Sequence, residues 1–260
     1  MYGLPTYHDI DPTFIVSLVY SVLFGLMFAD LGQGVALALF GYFFMYKRKG
    51  MAIGNILARA GFFSALFGLL FGSVFGYEHV LDPLFHALGF AEKPFDVMAA
   101  TSVNTILIGS VAIGVTVVSL AICTGIYSKL RRHMVGEALT SSNGVAGLIF
   151  YWALLGLVLD MFILNIGYSS NPFYIVLLVV VPLIIIYLQE PLAELINGHK
   201  PHFEGGILNF LISGFFEMFV TLLEYLSHTV SFLRVGGFVL VHAGMMIVVE
   251  TLAHMAGNLA

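Results

Sequence analysis

The chain reads as an all-α polytopic membrane protein: a bundle of about seven transmembrane helices, in which one long, tilted helix carries an arginine at mid-membrane depth. Three observations predict this class. Hydrophobic residues fill 60% of the 260 positions and charged residues only 10%, and mean hydropathy is +0.99, far from the range of soluble domains. The apolar residues come in long runs instead of alternating with period two, which favours helices over a barrel, the other fold that satisfies its backbone hydrogen bonds in lipid. Basic residues gather in alternate gaps between those runs, as in helical membrane proteins with a defined orientation.

Turn and charge signals divide the runs into seven candidate helices: Phe14 to Phe28, Leu31 to Tyr46, Gly54 to Phe75, Val97 to Tyr127, Ser142 to Ile166, Pro172 to Leu188, and Ile207 to Leu252. The first two are short and form a hairpin, with Asp30 between Gly25 and the Gly32/Gly34 pair as a turn or capping residue. The third is rich in glycine (Gly61, Gly68, Gly72, Gly76), and its small-xxx-small spacing permits close helix contact. The fourth stops at Lys129, Arg131 and Arg132; the fifth follows Ser142 and Asn143 and carries Asp160; the sixth opens on Pro172, a good first-turn residue. Between Tyr77 and Asp96 lies an acidic loop with Pro83 and Pro94, expected to form a partly ordered cap. The polar segment from Gln189 to Gly206 includes a possible interfacial helix over Pro191 to Ile196, with Glu190 and Glu194 beside it as candidate inner-entrance carboxylates.

Lys47, Arg48, Lys49, Lys129, Arg131, Arg132 and Lys200 fall in one set of alternate gaps, with Arg59 just inside the third helix beside them, and the other set holds only Lys93. The positive-inside rule places those eight, and the N-terminus, on the cytoplasmic side. The expected organisation is one transmembrane domain over residues 1–260: a cytoplasmic lead-in over 1–13, the first six helices and their loops over 14–206, and the long arginine-bearing helix over 207–254.

That last helix holds the chain's main chemical anomaly. A guanidinium does not lose its charge at any accessible pH, and holding one at bilayer depth costs at least about 2.5 to 3.5 kcal/mol on insertion scales. At 100° per residue, with Glu217 as zero, Glu224 falls near about −20°, His228 near about +20°, Ser231 near about −40° and His242 near about −20°. Arg234 falls near about −100°, in a column of Phe216, Val220, Leu223, Ser227, Val230, Gly237, Val241 and Met245 that is almost wholly apolar. A wettable, titratable stripe therefore runs beside a greasy face that bears one fixed cation. This suits an aqueous ion path next to an apolar moving partner. Asp160, Glu190 and Glu250 are further candidates for such a path; the plainer reading of all these polar groups is interhelical hydrogen bonding.

Other chemistries find no residues to support them. Nothing resembles a Walker motif, no Cys/His cluster has metal-site spacing, and no basic tract suits nucleic acid, so neither metal nor cofactor is expected. The lone Cys123 cannot form a disulfide within the chain, and MYGLPTYHDIDPT lacks the positive start of a cleavable signal.

The stretch SHTVSFLRVGGFVLVHAG around Arg234 resembles the membrane-arginine helix of the stator subunit of V-type and archaeal A-type ATPases, subunit a or subunit I. LPTYHDIDPT (Leu4 to Thr13), FGLMFADLGQG (Phe24 to Gly34) and SALFGLLFGSVFG (Ser64 to Gly76) resemble further stretches of that family, in the same order. The resemblance implies a stator in which Arg234 faces the carboxylates of a rotor ring. Glu217, Glu224, His228, Ser231 and His242 would line half-channels for H⁺ or Na⁺. Expected partners are a ring of small c/K-type membrane subunits, the peripheral stalk and other ATPase subunits, and the lipid bilayer, with ATP chemistry residing elsewhere. A multi-pass location in a prokaryotic cell membrane follows. Family members also carry a soluble N-terminal domain and an eighth helix with a second arginine; the sequence holds neither and is expected to be a membrane-domain fragment. The competing expectation is a stand-alone secondary transporter that uses Arg234 for an anionic substrate and has broken helices at the midplane.

Overall fold

The computed structural model describes residues 11–77, 102–161, 172–197 and 207–257, with Val80, Leu81, Pro83 and Phe85. The lead-in before Asp11, the remainder of the expected outer cap with Lys93, the helix start at Val97, the helix end at Ile166, and Lys200 lie outside the described residues. The helices are α1 (Thr13–Met27), α2 (Leu31–Leu39) with a π-helical continuation Phe40–Arg48, α3 (Ala52–Phe71), α4 (Ser102–Arg131), α5 (Val135–Thr140), α6 (Val145–Leu159), α7 (Pro172–Tyr187), α8 (Gln189–Ile196), α9 (Ile207–Ser231) and α10 (Leu233–Gly257). An isolated bridge between Val74 and Tyr77 is the one β feature among the described residues.

The all-helical membrane class expected from composition is what is observed, while the described residues do not confirm the count of about seven spans. Among the described residues, four stretches are long and apolar enough to cross a membrane: Ala52–Phe71, Val103–Arg131, Val135–Leu159 and Phe210–Ala256. Pro172–Tyr187 and Gln189–Ile196, bent by 80° at their junction, add a fifth if counted as one span. With only 15 residues, α1 is shorter than the roughly 20 that a perpendicular crossing needs.

Several boundaries move for local reasons. Helix α3 stops at Phe71, short of the expected Phe75, because Gly72 takes a left-handed conformation (φ 75°) that closes the helix and donates its N–H back to Gly68. Gly72 and Gly76 therefore belong to the following loop and not to the helix-packing face. Ser142 and Asn143 do not cap the fifth helix: it starts at Val145 after Gly144, which offers no side-chain cap, and is preceded by the short α5. Pro172 does open its helix, and the short helix foreseen after Pro191 begins two residues earlier, at Gln189.

The chain divides into two compact units, Gly114–Thr229 and Pro12–Ile113 with Val230–Ala260. In the second, α1 and α2 pack on α3, where glycine replaces bulk. A Cβ at Gly61 would lie 2.5 Å from the Ala38 nitrogen, one at Gly34 2.3 Å from the Ala65 nitrogen, and one at Gly68 2.1 Å from the Leu31 nitrogen. Backbone thus meets backbone, the contact by which membrane helices associate when lipid removes the hydrophobic drive. Gly54, Gly61 and Gly68 recur every seven residues and so keep to one face of α3. In the other unit, Ile122, Ala146, Phe150, Tyr151, Ile186 and Tyr225 form a buried cluster on which α4, α6, α7 and α9 converge. Its polar rings are satisfied: Tyr151 Oη pairs with Thr229 Oγ1 at 3.0 Å, and Tyr225 Oη donates to the Ser142 carbonyl at 2.5 Å.

Candidate functional site

The polar features of the two units are distinct. In the Gly114–Thr229 unit, a cavity of about 650 Å³ is lined by Lys129, Glu137, Ser141, Gln189, Glu190, Glu194, Asn197 and Glu217, among others. Its shape follows from the ends of four helices. The basic end of α4 supplies Lys129, whose Nζ donates to Ser141 Oγ at 2.5 Å. The 80° bend before α8 turns Gln189, Glu190 and Glu194 toward the same space. Gln189 Nε2 donates to Glu217 Oε1 on α9. The α5 to α8 contact closes one side: a Cβ at Gly136 would come 2.4 Å from the Ala193 carbonyl oxygen, and the Gly136 N–H donates to Asn197 Oδ1 at 3.2 Å.

Glu217 and Glu190 thus come together, as does Glu194, while Glu224 and His228 lie exposed further along α9. Asp160, in contrast, is buried, with 1% of its surface accessible, at the C-terminal end of α6. Gln189 was not foreseen as a site residue; a polar side chain directly after the apolar run of α7, next to Glu190, was the available signal.

In the unit formed by Pro12–Ile113 and Val230–Ala260, Arg234 sits at the start of α10, just after Phe232, the one residue between α9 and α10 that leaves the helix. Its side chain is exposed, and among the described residues its guanidinium is met only by Ser231 Oγ at 3.5 Å and by no carboxylate. The apolar residues of α10 that share its column are exposed as well: Val241 is 56% accessible and Met245 55%. His242 is different. It is buried, at 9% accessible, with its ring edge-on to Phe28 at 5.8 Å. The continuous 100° stripe that grouped it with Glu217 assumed an unbroken helix, and the interruption at Phe232 frees the second half from that register. Glu250 is half-buried near the end of α10.

Asp30 does what its sequence context foretold, and more. It caps α2 by accepting the Gln33 N–H on Oδ1 at 2.9 Å. It also accepts the Phe75 N–H at 2.9 Å, the Gly76 N–H at 2.6 Å and the Ser73 hydroxyl at 3.0 Å, and is wholly buried. A single carboxylate therefore pins the loop that follows α3 to the start of α2. Among the described residues no group of three or more His, Cys, Asp or Glu side chains could hold a metal ion.

No protein-family model matches the chain. It is similar to A-type ATP synthase subunit I of Halobacterium salinarum, at 30% identity over 95% of this chain and 34% of that protein. With A-type ATP synthase subunit I of Aeropyrum pernix it shares 27% identity over 98% of this chain and 40% of that protein. A shorter match, 34% identical over 34% of this chain and 20% of the relative, is to V-type ATP synthase subunit I 2 of Treponema pallidum. The chain thus spans between a third and two-fifths of the first two relatives. Matched over nearly its whole length, and helical with apolar spans as the sequence foretold, this chain is a relative of the subunit I proteins of A-type and V-type ATP synthases.

Proposed function

We propose that the chain supplies the membrane stator of a rotary A/V-type ATPase, the part against which a ring of small membrane subunits turns as H⁺ or Na⁺ crosses. The observation that carries this reading is Arg234. It is a permanent charge inside the 47-residue apolar span Phe210–Ala256, exposed on an apolar face, with no anionic partner among the described residues. Such a cation needs an anion from elsewhere, and a ring carboxylate arriving from lipid is suited to the role. The fixed charge favours the ionised carboxylate, so the carboxylate releases its ion on reaching the stator. By the same repulsion Arg234 bars a cation from passing straight between two offset half-channels.

On this reading the cavity with Glu190, Glu194 and Glu217 is one aqueous approach, Glu224, His228 and Ser231 extend the polar path, and His242 serves the other approach. Asp160 and Glu250 are lesser candidates. No cofactor is called for; ATP chemistry belongs to partner subunits, the peripheral stalk connects to them, and the setting is a prokaryotic cell membrane. The alternative, a transporter that binds an anionic substrate at Arg234, is supported less well, since only Phe232 departs from the helix near the arginine. Purification from native membranes under mild conditions distinguishes the two. A stator brings down a ring of small helical subunits together with ATPase subunits, and recovery of the chain alone, active in anion uptake, overturns the assignment.

A further inference from the structure

The imidazole of His242 is buried, yet its Nε2 has no hydrogen-bond partner among the described residues. The large majority of buried side-chain polar atoms have a partner, so an orphan of this kind points to a ligand. Beside it lies a small, partly open space of about 30 Å³ lined by Ser73, Gly76, His242, Ala243 and Met246, among others. A water needs roughly 10 to 15 Å³ on that measure and two to four polar partners. The size suits one or two waters and excludes anything larger.

Ser73 and Gly76 in that lining belong to the loop that Asp30 holds. Asp30 already accepts four hydrogen bonds, two on each oxygen, from Gln33, Ser73, Phe75 and Gly76. Ser73 Oγ spends its proton on Asp30 and keeps its lone pairs as acceptors. The loop cannot collapse onto His242 to fill the space: Gly76 has φ 84°, and a Cβ there would lie 2.7 Å from Met246 Sδ, so its backbone is already in contact with α10. Phe28, edge-on to the imidazole, limits the ring's freedom to turn away.

We propose that this cavity is a buried water site, in which one water bridges His242 Nε2 and the Ser73 hydroxyl and so connects His242 to the Asp30 carboxylate. Asp30 then has a second task beyond capping α2, as the buried terminus of a hydrogen-bonded chain that begins at His242. That the chain serves ion transfer rests on the stator reading; the water site itself does not.

The test uses the full chain in lipid bilayers with ¹⁵N-labelled histidine, the His242 signals being assigned by their loss in His242→Gln. Water-edited solid-state NMR then reads transfer from water protons to the imidazole. The expected result is transfer to His242 in the native chain, its loss on filling the cavity with Ala243→Val, and a moved Nε2 resonance in Ser73→Ala. Unchanged signals from the other histidines confirm an intact fold, and if Ala243→Val disturbs them, Ser73→Ala decides alone. No transfer in the native chain means a dry cavity and overturns the proposal. Transfer that survives Ala243→Val means an open channel in place of a bridging water, and an Nε2 resonance indifferent to Ser73→Ala removes the link to Asp30; either outcome also overturns it. Loss of ATP-driven transport plays no part in these readings, so failure of the stator assignment is seen separately.

Discussion

Arg234 and Asp30 are opposite cases of a charge placed among apolar helices. Asp30 has four donors from its own chain, so its charge contributes to the fold. Removing it with Asp30→Ala leaves the Phe75 and Gly76 N–H groups without an acceptor, and the expected loss is about 3 kcal/mol, read as a lower midpoint of thermal unfolding in detergent. Asp30→Asn, which keeps an acceptor but not the charge, should lose less. Among the described residues Arg234 is met only by Ser231, and on the stator reading its charge serves a partner. Arg234→Lys should therefore leave folding and assembly intact but abolish ATP-driven ion transport in the reconstituted complex. Lysine is a strongly hydrated point charge that can neutralise when desolvated, whereas the guanidinium fork stays ionised and spans more directions. Full pumping by the lysine variant refutes the role given to this residue.

At the scale of elements, the α2 to α3 contact depends on glycine and should resist any added bulk. With the Gly68 Cβ position only 2.1 Å from the Leu31 nitrogen, Gly68→Ala must push the start of α2 away. The expected cost is about 1 to 3 kcal/mol, measured as a drop in unfolding midpoint, while alanine at Gly109, where a Cβ meets nothing within 4 Å, should change little. The α9 to α10 segment makes a chemical prediction. In a Cys123→Ser background, cysteines at Glu224 and His228 should react with small water-soluble thiol reagents, because the thiolate forms only where water reaches. On the stator reading, a cysteine at Val241, which shares α10 with Arg234, should resist, because lipid or a rotor would cover that face. A cysteine at His242 should react slowly, since that position is buried. Equal reactivity at all sites would leave no basis for separating ion path from rotor contact.

For the whole molecule the dominant constraint is length. The Phe210–Ala256 span holds 47 residues, and at 1.5 Å per residue it would measure about 70 Å against roughly 30 Å of hydrocarbon. On the stator reading, strong tilt would keep most of those apolar residues in lipid and present a long edge to the rotor ring. Imaging of the assembled complex in nanodiscs should find this segment far from the membrane normal. An upright helix protruding into water at both ends would contradict the expectation.

The helical membrane class, the positions of the main helices, the capping role of Asp30 and the anomaly of a lone arginine, Arg234, inside a long apolar span were all legible in the linear chain. Each depends on composition, on local spacing, or on the cost of a charge in lipid, which no fold alters. The kinship with subunit I was legible too, in the stretches around Arg234, Asp30 and Ser64. The structure alone decided what depends on other elements. Gly72 ends α3 instead of packing it, and Phe232 interrupts the register on which the polar stripe was drawn. Glu217 meets Gln189 across 28 positions of sequence, and Asp30 reaches 46 positions ahead to Gly76. His242 was grouped with exposed polar residues by angle, but it is buried because Phe28 and the loop after α3 stand against it. Helical periodicity says which residues share a face; only tertiary packing determines what that face meets.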